Sequence, residues 1–235
     1  MKTLPCTESV EFAGVVKRAR CDRCLRPQST CICQWVTPLA HAVEVLILQH
    51  PLEVAHAKGS ARLLHLSLQH SRLVIGEVFD VHACLARMDA APEGGVLSQN
   101  PRPPRHNILL YPSPEADRAT PLASSTPTPS SLGSTCLQEP SQLRLIVLDG
   151  TWRKSRKMLY LNPPLQQLPR LSLQGLPASQ YMIRKAHRPG QLSTLEATCA
   201  ALAQLEGDPD TCEPLLKAFD GFVAQQSGYR AGSGF

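Results

Sequence analysis

Residues 143–159, LRLIVLDGTWRKSRKML, constrain the fold of this chain more than any other stretch. Leu143, Leu145, Ile146, Val147 and Leu148 make an apolar run of strand length, aliphatic enough for a parallel strand buried on both faces. Asp149-Gly150 breaks the run, and Thr151 opens a segment with helical spacing. Trp152, Ser155 and Leu159 then fall at i, i+3 and i+7, a stripe predicted to face inward. Arg153, Arg156 and Lys157 lie on another face, with Lys154 beside them. A strand that runs through a turn into a helix N-terminus is where open α/β sheets place ligands. This turn carries a carboxylate, a hydroxyl and an indole, with four cations behind it. Two readings are open: the turn meets a ligand, or Asp149 or Thr151 caps the helix and Trp152 packs in the core.

The nine cysteines are an odd number, and four of them cluster as Cys21-x2-Cys24-x6-Cys31-x-Cys33. That pattern favours thiolate chemistry over a disulfide framework. Four soft thiolates within one short loop can close a tetrahedral zinc site and leave no position open for substrate. The expected ion is therefore structural, supplying folding energy that a short loop cannot draw from a core. The N-terminal segment has no apolar signal-peptide core, and no apolar run has the length of a membrane helix. A cytoplasmic, membrane-free protein with no obligate protein partner is expected.

Around the organising strand, elements of both kinds alternate. Residues 41–50 read as a strand ending in His50-Pro51-Leu52-Glu53, with a helix predicted from Pro51 to about residue 68 across Gly59-Ser60. His50, Glu53 and His56 have near-helical spacing, but no further ligand completes a metal set, and a capping and surface role is expected. Further strands are predicted at 72–79, 107–111, 168–173 and 181–185, with a loop at 82–105. Ser193-Thr194-Leu195-Glu196 has capping-box spacing, so a helix is predicted from Ser193 to Gly207. A last helix is predicted over 212–226. Residues 115–141, rich in Ser, Thr and Pro, are too polar to pack and read as an exposed or disordered insertion. The alternation predicts an α/β fold with a largely parallel sheet. The net charge of +5 is mild, but it gathers in basic clusters near the cysteines, at 153–157 and at 184–188, which suits a polyanion such as RNA.

At Asp149-Gly150-Thr151-Trp152 the chain resembles the DTW-domain family, the tRNA-uridine aminocarboxypropyltransferases, with their D-x-T-W signature. The resemblance extends to the cysteine knuckle, His50-Pro51-x-Glu53, Leu110-Tyr111-Pro112-Ser113 and Pro169-Arg170-Leu171. It continues through Tyr181-x-x-Arg184-Lys185 and Gly190-x-Leu192-Ser193-Thr194-x-Glu196-Ala197. Lys58-Gly59-Ser60-Ala61 departs from the Asn-Thr-Gly of many relatives. The resemblance implies a SPOUT-like fold with a C-terminal trefoil knot, divided into a zinc knuckle at 15–40 and a catalytic domain at 41–228. It implies S-adenosylmethionine as donor and tRNA as acceptor, giving a 3-amino-3-carboxypropyl group on uracil N3 and methylthioadenosine. Asp149, Thr151 and Trp152 are the implied catalytic residues. Leu110, Tyr111, Pro112, Ser113, Tyr181, Arg184, Lys185, Leu192 and Ser193 are the implied donor-binding set, and Arg153, Lys154, Arg156 and Lys157 the RNA-binding one.

The chemistry places Asp149 further. Uracil N3 is barely nucleophilic until its proton leaves, and a nearby carboxylate can accept that proton. A carboxylate beside the sulfonium would oppose transfer, because the positive charge vanishes in the transition state. Asp149 is therefore expected on the uracil side. Two rival readings use the same residues: an RNA methyltransferase attacking a different carbon of the same donor, and a zinc-containing RNA-binding protein without catalysis.

Overall fold

The run at Leu143–Asp149 is a strand buried at every position, which requires a sheet covered on both faces. A computed structural model describes residues 19–89, 105–112, 139–173 and 192–231. Among those residues the sheet is parallel, with β1 Glu44–Gln49, β2 Ser71–Ile75, β3 His106–Leu110, β4 Leu143–Asp149 and β5 Arg170–Leu171. The spatial order is β2-β1-β4-β3-β5. Its helices are α1 Ala61–Ser67, α2 Val81–Asp89, α3 Trp152–Leu161, α4 Pro163–Gln166, α5 Thr194–Glu206 and α6 Glu213–Ala231. No helix among the described residues is long and apolar enough to cross a membrane.

Alternate strand residues point to opposite faces, and the two cores follow that rule. Val45, Ile47, Leu145 and Val147 pack with Leu63 and Leu64 of α1, Leu202 of α5 and Phe219 of α6. Leu46, Leu48, Ile146 and Leu148 pack with Val81 of α2, Met158 and Leu159 of α3, and Leu165 of α4. At the strands' N-terminal ends Arg144 is almost wholly buried and pairs with Glu44 and Asp89, while Arg105 also pairs with Glu44. This ionic network fills that end of the sheet.

Several elements depart from the sequence reading. The helix expected from Pro51 is only a 3-10 turn, Pro51–Glu53, and α1 starts at Ala61. The chain between them runs through tight i→i+3 turns, His56 N–H to Glu53 O at 3.0 Å and Gly59 N–H to His56 O at 2.8 Å, and a Cβ on Gly59 would lie 3.1 Å from that last oxygen. The loop expected at 82–105 contains α2, opened by the Asp80 carboxylate accepting from Ala83 N–H at 2.9 Å. Val81, Leu85 and Met88, at i, i+4 and i+7, carry its inward stripe. The strand expected at 72–79 ends at Ile75, and that at 168–173 is limited to Arg170–Leu171. The helix at 193–207 is as read: Ser193 and Glu196 complete both halves of the capping box, and Gly207 closes it at φ 70°. The final helix runs on to Ala231. The strand expected at 181–185, the insertion up to residue 138 and the threading of the knot lie outside the described residues.

The cysteine segment shares the main core. Cys24 and Ile32 are buried in the same cluster as Phe219 and Phe222 of α6. Trp35 Nε1 donates to Gln225 Oε1 at 2.7 Å, Gln225 Nε2 donates to Cys31 O at 3.2 Å, and Tyr229 Oη donates to Ser29 O at 2.7 Å. The Trp35 ring lies against Gly221, where a Cβ would collide with it. Gly221→Ala should therefore overpack the joint and lower stability by about 1–3 kcal/mol. Urea unfolding checks this, and the penalty should shrink in a Trp35→Leu background, which vacates the space.

Candidate functional site

Loops that follow parallel strands gather at one end of the sheet, and the crevice opens where strand order reverses. Here β1 leads outward to β2, whereas β4 lies on its other side, so the reversal falls between β1 and β4. Gln49 and Asp149 are the last residues of those strands and stand in register. Asp149 is buried, at 4% exposure. Its Oδ2 accepts from Gln49 Nε2 at 2.8 Å and its Oδ1 from Thr194 Oγ1 at 2.7 Å. His50 N–H donates to the Asp149 backbone carbonyl at 2.9 Å. Two adjacent strand ends and the first turn of α5 thus converge on one carboxylate.

The helix cap belongs to Thr151, whose Oγ1 accepts from Lys154 N–H at 3.4 Å. Asp149 stands apart from that role. Ser155 Oγ turns back to donate to Thr151 O at 3.2 Å. Trp152 departs from the inward stripe predicted for it: it is 46% exposed, whereas Ser155 and Leu159 are buried. It is the first residue of α3. Its indole stacks instead on Tyr111, ring centroids 5.2 Å apart at 14°, an offset geometry suited to aromatic pairs. The Arg170 guanidinium lies over the Tyr111 ring at 5.2 Å, and its Nη1 donates to Pro112 O.

Beside this cluster, His50 and Glu53 are buried, contrary to the surface role expected from their spacing. His50 Nδ1 accepts from Leu52 N–H at 3.2 Å, so Nε2 carries the proton and meets Glu77 Oε1 at 2.6 Å. Glu53 Oε1 receives Lys154 Nζ at 2.8 Å, and Glu77 Oε2 receives Lys157 Nζ at 2.6 Å. The Lys157 ammonium, together with His50, holds the Glu77 carboxyl below its ordinary range. Two of the four cations on α3 are therefore neutralised within the fold.

Of the implied donor-binding residues, Leu110, Tyr111 and Pro112 lie at the end of β3, and Leu192 and Ser193 lead into α5. These stand at the same sheet end as Asp149. Ser113, Tyr181, Arg184 and Lys185 lie outside the described residues. Gln49, Thr194, Glu77 and Arg170 are additions from the structure. Thr194 and Arg170 stood inside motifs already singled out, whereas nothing marked Gln49 or Glu77.

The cysteines form a second site. The sulfurs of Cys21, Cys24, Cys31 and Cys33 lie within 4.8 Å of one another. Cys21 and Cys33 are 3.5 Å apart and Cys24 and Cys31 3.8 Å. Tetrahedral zinc–thiolate bonds of about 2.3 Å require sulfurs roughly 3.8 Å apart, so the donor set fits that ion. Backbone N–H groups of Cys24 and Arg23 bring the Cys21 thiol down to about 6. Burial, with the neighbouring sulfur of Cys21, pushes Cys33 up to about 12.

The DTW domain family matches residues 18–227. The chain is 29% identical over 208 residues to tRNA-uridine aminocarboxypropyltransferase 2 of Drosophila melanogaster, covering 86% of this chain and 72% of that protein. It is 28% identical to the Mus musculus protein of the same name, over 89% of this chain and 64% of that one. It is also 28% identical to tRNA-uridine aminocarboxypropyltransferase A of Arabidopsis thaliana, over 91% and 83%. The chain thus spans less than two thirds of the mouse relative's length. No solved structure matches.

The frame around Asp149 is testable by itself. Thr194→Val keeps the side chain's shape but removes a donor to a buried carboxylate, and should lower stability by about 1–3 kcal/mol in urea unfolding. Thr194→Ser keeps the hydroxyl and should lose less.

Proposed function

The chain belongs to the DTW domain family, and from that membership we propose that it is a tRNA-uridine aminocarboxypropyltransferase. It would move the 3-amino-3-carboxypropyl group of S-adenosylmethionine to N3 of a tRNA uridine. The observation that carries this reading is the buried Asp149 carboxylate at the reversal of strand order, with the exposed Trp152 indole three residues along the chain. A methyltransferase would use the same donor, but the names of all the cited relatives favour transfer of the larger group.

In the proposed reaction the N3–H proton leaves, N3 attacks the carbon that joins the group to sulfur, and that carbon–sulfur bond breaks. Neutral methylthioadenosine departs. Asp149 is the proposed base. Gln49 and Thr194 donate to its two carboxylate oxygens and hold it in place. A carboxylate fixed in advance need not be ordered during the reaction. Trp152, its far face unmatched by Tyr111, suits the uracil ring, since a base can stack on an indole without hydrogen-bond readout. Leu110, Tyr111, Pro112, Leu192 and Ser193 are the described residues proposed to hold the donor, with Thr151 at the turn between the two substrates.

A SPOUT-like, knotted arrangement of the C-terminal part belongs to the same proposal, supported by the parallel sheet with its ligand-facing end at β1 and β4. A reducing, cytoplasmic setting suits the four clustered thiols. Zn2+ bound by Cys21, Cys24, Cys31 and Cys33 would be structural, drawing all four sulfurs to thiolates. About one zinc per chain is expected by metal analysis of chelator-free protein. Chelation or Cys24→Ser should lower thermal stability while leaving donor affinity nearly unchanged in protein that remains folded. Protein purified with no zinc would refute the assignment.

Asp149→Asn tests the base. Both of its carboxylate oxygens accept hydrogen bonds, so the new amide must face a donor. Thr194 can reverse its hydroxyl and accept, which preserves the frame. Donor and tRNA affinities should stay near wild type, while single-turnover rates fall about 10²–10⁴-fold. Raising the pH should restore part of the loss, as more uracil arrives already deprotonated. A folded variant with the wild-type rate would rule out Asp149 as base.

A further inference from the structure

The outward face of α3 carries more than its charge. Trp152, Arg156 and Tyr160 recur at i, i+4 and i+8, and Arg153 falls on the same side of the helix. Tyr160 is 78% exposed, the most exposed large hydrophobic side chain among the described residues. A single exposed aromatic is ordinary. Three coincidences set this one apart.

The first is electrostatic. Of the four cations on α3, Lys154 and Lys157 are bound by Glu53 and Glu77. Arg153 and Arg156 have no ion-pair partner among the described residues, and α3 itself contains no acid. The second is chemical. The free pair are the two arginines, whose planar, weakly hydrated guanidinium groups suit phosphate forks and base stacking better than an ammonium does. The third is positional. The stripe starts at Trp152, beside the buried carboxylate, and runs outward to Tyr160 over about 12 Å of helix. That length matches roughly three to four stacked nucleotides at about 3.4 Å each.

We propose that Arg153, Arg156 and Tyr160, leading outward from Trp152, form a track for the single-stranded RNA that flanks the modified nucleotide. The arginines contact its phosphates and Tyr160 stacks on an unpaired base. The proposal deepens the functional reading above and rests on it, since it takes tRNA to be the substrate. It also removes Lys154 and Lys157 from the RNA surface and gives them to the fold. Alternating cations and aromatics favour nucleic acid over a protein partner, for which an uncompensated arginine pair would need matching acids.

The test measures binding of unmodified tRNA by the zinc-loaded full chain across a salt series. Tyr160→Ala should weaken affinity roughly 5- to 100-fold, whereas Tyr160→Phe, which keeps the stacking face, should stay within about twofold. Replacing Arg153 and Arg156 together with alanine should reduce the slope of log affinity against log salt by about 1.4–1.8, the loss of two phosphate contacts. Thermal unfolding of each variant confirms that it is folded. Wild-type affinity and slope in the variants would overturn the track and leave the functional reading standing. A change in the chain's own oligomeric state without a change in RNA binding would also overturn it, making the stripe a self-association face. If the wild-type chain binds no tRNA at any salt, the functional reading falls and the track with it.

Discussion

A carboxylate taken out of water must be met by donors, or the fold loses several kcal/mol. Asp149 is met from both sides, by Gln49 at the end of β1 and by Thr194 in the first turn of α5. That requirement ties three separate parts of the chain to one point. It puts β1 and β4 in register at their ends, and it places the N-terminus of α5 across the mouth of the crevice. The capping box of Ser193 and Glu196 then has a second consequence, because by fixing where α5 begins it fixes where the Thr194 hydroxyl points. Helix capping and the geometry around Asp149 are the same problem at this position.

What the sequence made legible was local. The strand at 143–149, the cap at Ser193, the stop at Gly207 and the cysteine cluster each carry their cause within a few residues. The long-range features were not visible. Gln49 looks like any polar residue at a strand end, and only its register with Asp149 gives it a task. The inward stripe does not hold at Trp152, because periodicity gives a residue's side of the helix but not its depth: one face of the indole meets Tyr111 and nearly half of the side chain stays in solvent. Gly59-Ser60 marks a weak point in the sequence, but the turns that run from Glu53 through His56 to Gly59 rest on backbone contacts that side-chain pattern does not encode. Helix α2 was hidden by proline- and glycine-rich sequence just after it, although Asp80, Val81, Leu85 and Met88 held its cap and stripe.

Charge was the hardest to read. Four cations in five residues look like one basic patch, yet Glu53 and Glu77, which bind two of them, lie 101 and 80 residues away. Both acids follow strands of the same sheet, so parallel topology brings them to α3. A count of basic residues therefore doubles the charge that this helix can offer to a polyanion.

The joint between the cysteine segment and α6 bears on how the chain comes to be made. Its hydrogen bonds span 190 to 200 residues of sequence. During synthesis the thiols emerge long before the helix that covers them, at rates of about 5–20 residues per second. For many seconds the four sulfurs are open to a cation while Trp35 and Ile32 still lack their cover. Loading can thus precede docking, and the arrival of Gly221 against Trp35 closes over a loop already shaped. In that order of events the last helix acts as a latch.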